Sequence, residues 1–155
     1  VIALFQESER LGLVQAASSA YAQGLIEEDA VNWQDALEHY KRAYGQDATL
    51  EHMNAYASLS WRMGRLDEAM ALHEDILEQV AAEHGKAGNE YATELTNLAM
   101  KYEITGRYEA AAPLFDQALS ITRRVLGADH PDTAESLNNL AALYESQGRY
   151  SEAAP

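Results

Sequence analysis

The chain has 155 residues, 25 of them acidic against 11 basic, for a net charge of −14 at neutral pH. That balance argues against nucleic acid and anionic membrane as partners, because both need clustered cations to displace counterions. Cysteine is absent, which excludes disulfide frameworks, thiolate zinc sites and cysteine nucleophiles and fits a reducing, cytoplasmic setting.

In chain order, residues 1–15 read as a flanking helical segment carrying Ile2, Leu4, Phe5, Leu11 and Val14. No apolar run approaches the roughly 20 residues of a membrane span. A first repeat is expected over residues 16–49. Its first helix should lie within 16–26, with Gly24 at a tightly packed site, and NWQDALEHYKRA (32–43) should form its second, ending at a break over Gly45, Gln46 and Asp47. Ala36 to Ala69 is 33 residues, so this unit follows a period of about 34. The second repeat, 50–91, holds an apolar stripe of Met53, Tyr56, Ala57 and Ser60, a turn at Gly64, and a second helix lined by Ala69, Leu72, Ile76, Leu77 and Val80.

The third repeat, 92–133, is the clearest. Leu95, Leu98, Ala99 and Tyr102 fall at i, i+3, i+4 and i+7, which makes one face of an amphipathic helix. Gly106 follows, a residue without Cβ that suits the left-handed position just past a helix end. Ala110, Ala111, Leu114, Phe115, Ala118, Leu119, Ile121 and Thr122 line the next helix, with Pro113 near the end of its first turn, and Gly127 stops it. In the linker ADHPDT, Pro131 pushes His130 out of helical geometry, and Asp132 or Thr133 is placed to cap the next helix. The corresponding linker before it, HGKAGNEY, has Gly88 and Asn89 in place of the proline. A partial fourth repeat spans 134–155, and both ends of the chain are expected to continue in a longer protein.

Residues 92–113 (ATELTNLAMKYEITGRYEAAAP) return as 134–155 (AESLNNLAALYESQGRYSEAAP), identical at 13 of 22 positions and 42 residues on. A period of this length predicts stacked helix pairs, a solenoid whose extended surface suits the binding of other proteins. Alanines at 57, 99 and 141, and at 69, 111 and 153, sit where the helices of a pair cross. Tyr102 and Tyr144 pack in the core, and Tyr108 and Tyr150 at the turns.

Catalytic patterns are missing from the sequence. There is no phosphate-cradling glycine loop, His-Glu-x-x-His motif or nucleophile elbow. The five histidines (His39, His52, His73, His84, His130) do not share metal-ligand spacing, and His73, where the third repeat has Phe115, reads as a partly buried core residue. No enzyme activity, metal or cofactor is expected.

The strings NLAxxYxxxGRYxEAxP and LFDQALSITRRVLGADHPDTAESLNNLA resemble the tetratricopeptide repeat, in its 42-residue form found in kinesin light chains and bacterial multi-repeat proteins. The resemblance is strong over residues 53–155, and 16–50 are more like the 34-residue form. Ser60 and Gly88-Asn89 depart from the pattern. The resemblance implies an all-α, right-handed solenoid of helix-turn-helix repeats that binds a protein or peptide segment in a concave groove lined by the first helix of each repeat. Matched by position, the groove would present Asn54, Ser58, Trp61 and Arg62, then Thr96, Asn97, Met100, Glu103 and Ile104, then Asn138, Asn139, Ala142 and Glu145, with Tyr21, Leu25 and Glu28 from the first repeat. Asparagine amides can clamp a peptide backbone, since each offers both a donor and an acceptor, and Trp61, Arg62 and Met100 could add specificity. Two alternatives accompany this reading: a sensor or regulatory arm of a larger bacterial signalling protein or protease, and a self-association module acting through the truncated C-terminal repeat.

Overall fold

The computed structural model describes residues 2–148. Of the positions named above, Tyr150, Ala153 and Pro155, and the side chains of Ile2, Leu4 and Phe5, lie outside the described residues. Among these residues there are seven helices and no strand: α1 (Ile2–Asp29), α2 (Trp33–Gln46), α3 (Leu50–Arg62), α4 (Leu66–His84), α5 (Asn89–Ile104), α6 (Tyr108–Leu126) and α7 (Pro131–Ser146). They form two compact units, Val1–Ile76 and Leu77–Pro155, with the division inside α4.

In the first unit, residues 2–29 form one unbroken helix rather than a flanking segment followed by a separate first helix. Its C-terminal half carries the packing: Ala17, Ala20 and Gly24 are buried, while the side chains of 6–13 are exposed. Small residues let α2 approach closely. A Cβ on Gly24 would stand 2.5 Å from two ring atoms of Tyr40, so the tight site expected there is present. Ala36, Leu37, Tyr40 and Ala43 form the buried face of α2, which runs on through Gly45 to Gln46 before the chain turns extended at Asp47. Thr49 caps α3 by accepting from the His52 N–H at 3.3 Å, as its short hydroxyl side chain favours. The α1–α2 turn is built on Val31 at φ +63°, where the later turns have Gly64 at +76° and Gly106 at +74°. The hydrogen bonds are the same: Asn32 N–H reaches Glu27 O at 2.8 Å, as Arg65 reaches Ser60 and Arg107 reaches Tyr102. This is the double-bonded helix end that satisfies the last free carbonyls.

In the second unit, Ala99, Ala111, Phe115 and Leu143 form a buried cluster, with Tyr102, Tyr108, Leu114 and Leu140 packed against it. Ala99 and Ala111 are fully buried, consistent with close helix crossing, and so are Ala57 and Ala69 in the first unit. Two local expectations need correction. His130, not Asp132 or Thr133, caps α7: its ring nitrogen accepts from the Asp132 N–H at 3.2 Å, and Pro131 at the first helical position needs no donor there. Thr133 instead donates its hydroxyl to the Gly127 carbonyl at 2.7 Å. Pro113 lies inside α6, beyond its first turn, so the Glu109 carbonyl loses its intrahelical donor.

Candidate functional site

The first helices of the repeats were expected to line the binding surface, and the two units answer differently. In the second unit, α5 and α7 flank a cleft of ≈180 Å³ floored by Thr122 of α6. Thr96, Asn97 and Met100 reach it from α5 and Asn139 from α7, four of the positions matched by family pattern. Asn89, Thr93, Asp132, Glu135 and Ser136 line it as well. Sequence reasoning missed these, although 132, 135, 136 and 139 follow the i, i+3, i+4, i+7 rule for one helix face. Asn138, Ala142 and Glu145 are exposed on α7 outside this lining. Glu103 lies one turn past Met100 on α5. Burial pushes its carboxyl up, and the neighbouring Ser146 hydroxyl of α7 only partly offsets that. Ile104 is 71% exposed beside it.

The cleft's hydroxyls are already committed as donors. Thr93 donates to Asn89 O at 3.0 Å, Thr96 to Ala92 O at 3.0 Å, Thr122 to Ala118 O at 2.9 Å and Ser136 to Asp132 O at 2.9 Å. Asn97 Nδ2 donates to Glu94 at 3.4 Å. What the hydroxyls turn outward is acceptor capacity, while the Asn97 amide keeps a second N–H as well as its carbonyl.

In the first unit several of the matched positions are engaged within the chain. Arg62 pairs with Glu28 and stacks over the Trp33 ring with 4.9 Å to the centroid. Glu28 also accepts from the Tyr40 hydroxyl at 2.8 Å; burial first, then this bond, raises the Tyr40 phenol. Tyr21 packs between Tyr40 and His52, at 5.6 and 5.2 Å between ring centroids. Asn54 donates to its own helix at Leu50 O, 2.8 Å away. Ser58 and Leu25 are exposed and Trp61 is half-buried. Arg62, Glu28 and Tyr21 thus tie α1, α2 and α3 together, and a ligand would have to compete with those contacts.

Among the described residues no group of His, Cys, Asp and Glu is placed to hold a metal ion, and no helix is long and apolar enough to cross a membrane. The family model for the tetratricopeptide repeat matches residues 46–121 and again 90–155. The chain belongs to the tetratricopeptide-repeat family. Its helix pairs make it an all-α solenoid of helix-turn-helix repeats, a type that generally mediates protein–protein interaction and is typically non-enzymatic. The fold is similar to that of BtubC (BKLC) from P. vanneervenii, with TM-score 0.65, 20% identity, and 95% of this chain and 70% of that one covered. It is also similar to a candidate kinesin light chain of Podosopora anserina with nearly identical TPR-like repeats, at TM-score 0.66, 21% identity, and 88% and 69% coverage. The N-terminal domain of stress-induced protein-1 from C. elegans matches at TM-score 0.63 and 15% identity, over 87% of this chain and 97% of that domain.

Proposed function

We propose that this tetratricopeptide-repeat protein is a non-enzymatic scaffold that holds an extended protein or peptide segment along the first helices of its repeats. The α5–α7 cleft is the observation that carries this. It sets the amides of Asn97 and Asn139 and the thioether of Met100 along one opening. Amides at a cleft's mouth can satisfy both the N–H and the C=O of a strand-like segment, and a flexible methionine adapts to varied apolar side chains. Selection from a random-peptide display library on this chain, followed by binding to Asn97→Ala/Asn139→Ala, tests the reading. Selected peptides should bind the wild type and lose most of their affinity in the double variant, with the melting temperature unchanged. Peptides indifferent to both asparagines would move the site elsewhere.

A further inference from the structure

The composition of the α5–α7 cleft also says what its occupant must carry. Four hydroxyls in the lining (Thr93, Thr96, Thr122, Ser136) donate their protons to carbonyls of their own helices. They present only lone pairs to anything that enters. Asp132 and Glu135 add carboxylates, which accept only, and no lysine or arginine lines the opening. The two flanking helices extend the bias: Glu90, Glu94 and Glu103 on α5 and Asp132, Glu135 and Glu145 on α7 stand against Lys101 alone. By contrast α6 is balanced, with Arg123 and Arg124 against Glu109 and Asp116.

A helix N-terminus favours anions, and both helices begin near the cleft. That effect amounts to about half a positive charge and fades within the first turn. Glu90 and Asp132 occupy those first turns and outweigh it, while Glu135 lies beyond its reach.

From this match of acceptors and charge we infer that the segment held in the cleft is cationic: an extended partner segment that places a lysine or arginine between the Asp132 and Glu135 carboxylates and the α5 hydroxyls. Those two side chains offer three and five donors and no acceptor, the complement of the hydroxyls and carboxylates in the lining. Met100, 43% exposed, and Ile104 continue the same face of α5, so an aliphatic residue next to the cation has an apolar seat. This rests on the cleft being the peptide site, and the test separates the two claims.

Peptides selected from the random display library are sequenced and measured by fluorescence anisotropy against Asn97→Ala/Asn139→Ala and against charge variants of α7 and α6. Lysine or arginine should be enriched among them. Binding of the leading peptide should weaken about tenfold in Asp132→Asn/Glu135→Gln, as expected for losing two partly exposed ion pairs. It should hold in Glu109→Gln/Asp116→Asn, which removes the same charge from α6. Glu135→Gln alone, a mid-helix change that leaves the α7 cap intact, should give part of the loss and keeps the result decisive if Asp132→Asn loosens the helix. Peptides that need Asn97 and Asn139 but are neutral or acidic would overturn this inference and leave the cleft standing as the site. Cationic peptides weakened equally by the α6 pair would overturn it too, since long-range attraction to an acidic protein would then suffice. Peptides indifferent to the asparagines, or an empty selection, would overturn both.

Discussion

Gly24 and Val31 make opposite demands on the side chain they hold. At Gly24 the Tyr40 ring leaves no room for a Cβ, so Gly24→Ala should cost about 1–3 kcal/mol by overpacking, seen as a lower melting temperature. At Val31 a β-branched residue sits in the left-handed region, at a cost of about 1–2 kcal/mol. Val31→Gly should therefore stabilise by about 1 kcal/mol, read from urea unfolding, despite removing an exposed hydrophobic side chain. The Tyr56–Glu68–Ser60 group shows how the second repeat meets its departure from the pattern. Ser60 stands where the later repeats have Tyr102 and Tyr144, and Tyr56, one turn earlier, supplies the ring and donates to Glu68. That bond leads the causes holding the Glu68 carboxyl below its ordinary range, while burial leads those raising the Tyr56 phenol. Because the folded-state value of Glu68 is depressed, its contribution is present above about pH 4.3 and lost as pH falls through the lower folded value. Tyr56→Phe should cost about 1–2 kcal/mol at neutral pH, and its difference from wild type should shrink in acid, measured by urea unfolding at about pH 7 and about pH 3.

The helices from α3 onward were readable because each carries the i, i+3, i+4, i+7 stripe and ends on a glycine or a His-Pro linker. The N-terminal boundary was not. Polar and apolar residues are mixed along 2–16, the stretch has no proline, and α1 runs straight through, Gly12 included. Its halves differ in cover: Leu11 and Leu13 are about half exposed, while Ala17 and Ala20 are buried. Amide hydrogen exchange should accordingly be faster before Val14 than over residues 17–29, since poorly covered helix ends open at little cost. A uniform rate along α1 would contradict that. In the cleft, the sequence pointed to Asn97, Met100 and Asn139 through family pattern. It did not point to Asp132, Glu135 or Ser136, because the α7 start was judged by its capping residues rather than by the face those residues share.

The excess of acidic residues sets the behaviour of the molecule as a whole. Like charges spread over helix surfaces repel more in the compact state than in the unfolded one. The melting temperature should thus rise as salt increases from about 0.01 M to about 1 M, over which the screening length falls from about 30 Å to about 3 Å. A fall would mean that attractive pairs such as Arg62–Glu28 outweigh the net repulsion. The Val31 turn bears on how such a chain is recognised. The family model begins at residue 46 and leaves out α1 and α2, yet their turn repeats the hydrogen bonds of the glycine turns. A backbone bonding pattern does not record which side chain tolerates it. With valine at 31, the turn keeps the geometry of the later ones while lacking the glycine that marks them in the sequence.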